Sequence, residues 1–63
     1  MEIRKINKNF VVDGIRIYLG EIIIIAYDIM IISIEDMNAE RIKLTPRRLA
    51  AIYKNSDPIE EIY

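Results

Sequence analysis

The sequence predicts a small α+β domain, an antiparallel β-meander of about four strands followed by a C-terminal helix, assembled as a dimer. Three observations carry this. Between Ile22 and Ile34 only Tyr27, Asp28 and Ser33 are neither aliphatic nor Met, and the stiff β-branched Ile that dominates the run suits a pleated surface better than a helix. Asp13-Gly14 separates two apolar runs, the strongest short hairpin signal a sequence offers. Thr45-Pro46 then opens a stretch whose apolar residues fall on one helical stripe.

In chain order, Asn9 to Val12 leads into a type I′ turn at Asp13-Gly14, and Ile15 to Leu19 follows with strict alternation. Ile15, Ile17 and Leu19 are expected to face inward, Arg16 and Tyr18 outward. Gly20 marks a second turn or a bulge. As one strand, Ile22 to Ile34 would extend roughly 43 Å at roughly 3.3 Å per residue, about twice an ordinary strand. A break is therefore expected at Tyr27-Asp28, as a tight turn between two strands or a bulge in one. Glu35 to Asn38 reads as a connecting turn. Arg41 to Leu44 resumes alternation, with Ile42 and Leu44 inward and Arg41 and Lys43 outward. Thr45 caps a helix from Pro46 to about Asn55, with Leu49, Ile52 and Tyr53 as its apolar stripe. Asp57-Pro58-Ile59-Glu60 has the form of a capping box and predicts a last short helical turn through Ile62, with a closing strand from Ile59 as the alternative.

With 63 residues and no linker-like stretch, the chain (1–63) is a single domain. Such a small domain hides only about 60 % of its unfolded surface and needs a staple. It has no Cys for disulfides, and without Cys or His only carboxylates remain to hold a metal. Self-association is the remaining staple, so a homodimer is expected. No cofactor is expected.

The apolar run is too short to cross a membrane, which takes about 20 residues in a helix, and it carries Asp28 in the middle. A secretory signal is not expected either, because the stretch after Met1 to Asn9 is interrupted by Asp13 and Arg16 and lacks a small-residue cleavage site. The absence of Cys fits the reducing cytoplasm, and abundant Ile, Lys and Asn suit a hot or AT-rich source.

Catalysis is not expected. Without His or Cys, no hydroxyl has an obvious base; Ser33 alternates within a strand and Thr45 caps a helix. Glu35-Asp36 and Glu60-Glu61 are adjacent pairs rather than carboxylates spaced across a cleft, and no glycine-rich phosphate loop exists. A small-molecule substrate is accordingly not expected.

Net charge is −1. Residues 1–20 carry +2 and residues 21–63 carry −3, so the strongly basic footprint of a duplex-DNA binder is absent. What remains is an outward strand face on which cations alternate with an aromatic ring. Arg16 and Tyr18 lie on one strand and Arg41 and Lys43 on another, with Lys5, Lys8 and Tyr27 near them in sequence. Cations for phosphates and flat rings for unstacked bases are what a single-stranded nucleic-acid platform needs. Arg47 and Arg48 open the helix, the end whose dipole disfavours cations; gaining nothing locally, they point to an anionic partner. Lys43, Arg47 and Arg48 are expected to share a patch.

The run Arg41-Ile42-Lys43-Leu44-Thr45-Pro46-Arg47-Arg48-Leu49-Ala50-Ala51-Ile52 resembles the C-terminal end of transcriptional coactivators of the positive-cofactor-four type, and the layout from Ile15 through Gly20 to the long strand at Ile22 is similar too. The resemblance implies a homodimer in which a curved antiparallel sheet precedes one helix. It also implies that the helices meet at the dimer interface and that the sheets offer basic and aromatic side chains to single-stranded DNA. The chain departs from that family at Leu49, where an aromatic is usual. It departs again at Glu35, Asp36 and Glu40, where a Lys/Gly-rich loop is usual, and this bears on DNA binding more than on the fold. A second likeness is to five-stranded SH3/Sm-like barrels, through Asp13-Gly14, Gly20, Tyr27-Asp28 and a last strand at Ile59 to Tyr63, although the glycine spacing departs from that of Sm proteins.

The function expected is non-catalytic binding of single-stranded DNA or RNA. The alternative is a small homodimeric interaction or regulatory module whose charges serve solubility alone.

Overall fold

The computed structural model describes residues 1–33 and 40–59. Its elements are β1 (Glu2–Ile6), β2 (Phe10–Val12), β3 (Ile15–Ile17), β4 (Ile22–Ala26), β5 (Ile29–Ser33), β6 (Glu40–Lys43), α1 (Pro46–Lys54) and β7 (Ser56–Pro58). All pairings are antiparallel. Five strands form one sheet in the order β6-β5-β4-β1-β7, and β2 and β3 form a separate two-stranded ribbon. The expected architecture, mostly antiparallel sheet with one short helix, is present, with β4-β5-β6 as its meander.

The turn chemistry sets the register. Asp13 and Gly14 have φ of 50° and 77°, the two positive angles that a type I′ hairpin requires. Tyr27 and Asp28 form the two-residue link between β4 and β5, since Ala26 pairs with Ile29; the long apolar run is thus two strands, not one bulged strand. Tyr27 takes φ of 58° without being Gly, Asn or Asp, a conformation costing about 1 kcal/mol or more for such a residue.

Pairing also defines the faces. Residues directly opposite each other project to the same side, so Arg4, Ile6, Ile23, Ile25, Met30, Ile32 and Ile42 share one face. That face is the core, closed by Val12 and Ile17 of the ribbon and Ile52 of α1, with Phe10, Ile15, Leu44, Leu49 and Ala51 packed around them. The helix starts as read from the sequence, with Thr45 accepting a hydrogen bond from Arg48 N (3.2 Å), Pro46 in the first position and Ile52 fully buried. Tyr53, expected in the apolar stripe, is instead 43 % exposed because its hydroxyl reaches Glu2. The helix is not the sole cover, however, because the β2–β3 ribbon shares that task.

Three readings are corrected. Glu2–Ile6 is a strand that alternation did not announce, since its inward face carries Arg4 beside Ile6 and its outward face Lys5 beside Ile3. Leu19 is 64 % exposed rather than inward, because β3 stops at Ile17 and the chain turns through Gly20 at φ 93°. Asp57 and Pro58 lie in β7 against Lys5 and Arg4, not at a helix start; an edge strand tolerates a proline, which has no N–H to give. The helix is consequently followed by a strand. The expected turn at Glu35–Asn38, the acidic pairs Glu35-Asp36 and Glu60-Glu61, and residues 60–62 of the expected last turn fall outside the described residues.

A domain of this size holds a net stability of about 3–9 kcal/mol. Truncating Ile52 to Ala empties the space between helix and sheet and is expected to remove about 2–5 kcal/mol, most of that reserve. Urea titration followed by far-ultraviolet circular dichroism measures it, and a loss below about 1 kcal/mol would show that Ile52 is not the anchor of α1.

Candidate functional site

The structure separates the nine expected binding residues into five places. Arg16 and Tyr18 lie on the ribbon, on a stretch whose outward side also carries Val11, and Lys8 is exposed in the preceding loop. Arg41 and Lys43 project from the outer face of β6, paired with Ile31 and Ile29. Lys5 projects from that same face but three strands away on β1, directly opposite Asp57, so roughly 14 Å separates it from β6. Tyr27 is fully exposed at the β4–β5 tip. No single strand face gathers them.

Arg47 and Arg48 have a local partner after all. Arg48 Nε donates to Asp13 Oδ2 at 2.9 Å and its Nη1 to the Lys43 carbonyl at 3.0 Å, while Arg47 Nε lies 3.6 Å from Asp13 Oδ1. The Asp13 carboxylate, carried to the helix start by the type I′ turn, offsets the unfavourable placement of two cations there. These arginines tie ribbon to helix. The expected patch of Lys43, Arg47 and Arg48 is therefore a clasp in which Arg48 is spent.

Arg16 and Tyr18 are different. With Asn9, Phe10, Val11 and Ile17 they line one shallow depression at the open end of the ribbon. Phe10 and Ile17 turn their side chains to the core, Val11 and Tyr18 stand exposed, and Arg16 makes no ion pair among the described residues. The backbone under Tyr18 is fixed on both sides. Tyr18 N donates to Glu21 Oε1 (2.7 Å), Leu19 N to Asn9 Oδ1 (2.7 Å), Gly20 N to the Ile6 carbonyl (2.9 Å) and Glu21 N to the Tyr18 carbonyl (3.1 Å). The ring is thus presented on a rigid turn, beside a free guanidinium and with Lys8 one residue from Asn9. The alternation Arg16-Ile17-Tyr18 announced the cation and the ring; nothing in the sequence announced Asn9 and Glu21 as the supports.

A second polar cluster escaped sequence reading altogether. Arg4, 8 % exposed, donates from Nε to Ser56 Oγ (2.7 Å), from Nη2 to the Ser56 carbonyl (2.9 Å) and from Nη1 to Glu2 Oε2 (2.7 Å), and it lies 4.4 Å over the Tyr53 ring. The Tyr53 hydroxyl donates to the other Glu2 oxygen at 2.5 Å, and Ser56 Oγ donates to the Ile52 carbonyl. The Tyr53 and Arg4 hydrogen bonds hold the Glu2 carboxyl below the usual carboxylate range, and Glu2 in turn pushes the Tyr53 phenol up. General acid–base chemistry calls for the opposite, pKa values drawn towards neutrality. The cluster is a tie joining β1, α1 and β7. Among the described residues, no three His, Cys, Asp or Glu side chains gather to hold a metal, and no helix is long and apolar enough to cross a membrane.

This tie sets a pH window. The lowered Glu2 value means that its contribution is complete above the ordinary carboxylate range and is lost as pH falls through the folded value. The raised Tyr53 value means that its contribution is complete below the ordinary phenol value and is lost as pH rises through the folded one. Thermal unfolding across pH should therefore show a plateau with a fall at each end, and Glu2→Gln should flatten the acid fall; an unchanged acid limb would remove Glu2 from the tie. Comparison of the chain with protein-family models, curated proteins and solved structures found no match.

Proposed function

We propose that this protein is a non-catalytic, homodimeric binder of single-stranded nucleic acid and that the ribbon depression is where it binds. The observation that carries this reading is one depression lined by both Arg16, which makes no ion pair among the described residues, and the exposed Tyr18, whose backbone is held by Glu21. A phosphate is served by Arg16 and Lys8 and a base by the Tyr18 face, the pairing used where bases are bound without sequence readout. Glu21 is the one carboxylate on the turn that carries Tyr18, and the Tyr18 amide occupies one of its oxygens. Lys5, Tyr27, Arg41 and Lys43 stand outside this depression; the three cations contribute long-range attraction and Tyr27 none. The absence of His and Cys supports a non-catalytic role. A second reading, capture of a protein segment, is favoured by Val11 and Leu19, which are 63 % and 64 % exposed on the same ribbon and its turn.

Salt separates the two. Oligonucleotide polarisation at low and moderate salt should show affinity falling as salt rises, and Arg16→Ala should lower the slope of log K against log salt by about 0.7, one phosphate on a single strand. Tyr18→Ala should remove one stacked base, about 1–3 kcal/mol. Arg48→Ala, whose guanidinium is already engaged by Asp13, should leave affinity nearly unchanged. No binding at low salt removes the nucleic-acid reading and leaves the protein-segment one.

A further inference from the structure

The outer face of the five-stranded sheet is apolar at its centre. Ile22, Ile24 and Ala26 of β4 project there with Ile3 of β1 and Ile29 and Ile31 of β5. Ile3, Ile22, Ile24, Ala26 and Ile31 are partly covered by their neighbours, and Ile29, the most open of the group, is 36 % exposed. Among the described residues, Arg41 and Lys43 stand on the edge strand β6, Asp57 on the edge strand β7, and Lys5 on β1, beside Ile22 of β4.

We propose that a second copy of this chain packs on this face about a two-fold axis running along β4. Strand order favours that axis. β4 is the third of five strands, so the rotation lays β4 on the partner's β4, β5 on its β1 and β6 on its β7. With sheets packed about 10 Å apart, isoleucines meet isoleucines: Ile31 falls over the partner's Ile3, and Ile22 and Ile24 lie along the axis itself. One opposite-charge contact crosses this interface, because Arg41 falls one row along the strand from the partner's Asp57, within reach of its long side chain. A two-fold lying instead across the strands would set Arg41 and Lys43 against their own copies.

Tyr27 supports the same occupant independently. It is a fully exposed tyrosine held at φ 58°, a conformation that glycine or asparagine would adopt with less strain. Strain kept at a fully exposed site points to a use for the side chain. It stands at the end of β4, and under this axis the two copies bring their Tyr27 tips to the same end of the interface.

The footprint is about 24 by 17 Å, roughly 400 Å² on each copy, about half the area of a standard stable interface. The dimer is therefore of the weak, reversible kind, and single copies fold. This deepens the homodimer reading above and is independent of nucleic-acid binding, so a failed oligonucleotide titration leaves it standing.

Sedimentation velocity of the whole chain over micromolar to millimolar concentration tests it. The mass is expected to rise from 7.4 kDa towards twice that value; a mass fixed at the monomer value throughout overturns the proposal. Each substitution enters the interface twice, so Ile24→Lys should abolish association and Ile24→Thr, a β-compatible change, should weaken it about a hundredfold. An Ile24→Thr protein as dimeric as the parent places the contact elsewhere and overturns the assignment. Arg41→Glu should weaken the dimer and Asp57→Arg added to it should restore affinity; failure to restore overturns the axis along β4. Tyr27→Gly should raise the thermal midpoint of the dilute monomer while weakening the dimer, and an undiminished dimer likewise counts against this axis.

Discussion

Everything in this molecule follows from two neighbouring strands that are apolar on both sides. Most antiparallel strands alternate, one face for the core and one for water, but Ile22-Ile23-Ile24-Ile25 and Ile29-Met30-Ile31-Ile32 put large aliphatic side chains at both parities. Such strands want cover twice. The chain supplies one cover from two pieces, a nine-residue helix and a three-residue-deep ribbon, and both pieces go to the same side, the one bearing Ile23, Ile25, Met30 and Ile32. Among the described residues, no helix or ribbon covers the isoleucines of the other side.

Neither piece of the cover is large enough to hold itself in place, and the polar network shows how they are kept there. Asp13 sits at the tip of the ribbon and receives Arg48 from the first turn of the helix, joining the two halves of the cover over the core. Arg4 does the corresponding work at the other end, fastening the first strand to the last through both the hydroxyl and the carbonyl of Ser56. An exposed ion pair is worth less than 1 kcal/mol as a rule. The Arg4 tie belongs to another class, because its guanidinium is buried and every buried polar side-chain atom among the described residues has a partner. Removing one member leaves others stranded in a place water does not reach.

What was legible in the sequence was whatever local chemistry decides. Asp13-Gly14, Thr45-Pro46 and the stripe of Leu49 and Ile52 each state their conformation within a few residues, and each is realised. What was not legible depends on residues far apart in the chain. Arg4 breaks the inward alternation of β1, and its justification, Ser56, lies 52 positions away, so the first strand could not be told from a charged leader. Asp57-Pro58 has the local form of a helix start and is a strand because Arg4 and Lys5 lie beside it. For the same reason Arg47 and Arg48 read as free cations when their carboxylate partner is 34 and 35 residues upstream. Arg16 and Tyr18 lie together in the structure because their neighbourhood is local, a single strand and the turn that ends it.

Geometry keeps the two unclaimed surfaces apart. The ribbon turns Phe10, Val12, Ile15 and Ile17 to the core, which points Val11 and Arg16 directly away from the sheet, while the isoleucine face looks the opposite way. Occupying one does not cover the other. Two copies joined through their sheets would carry two outward depressions on opposite sides of the particle, and a strand long enough to reach around would meet the second at raised local concentration. Weak contacts at each depression, of the size a single ring and one guanidinium can supply, would then add on one strand, and the affinity for long strands would exceed that for short ones only while the sheets remain joined.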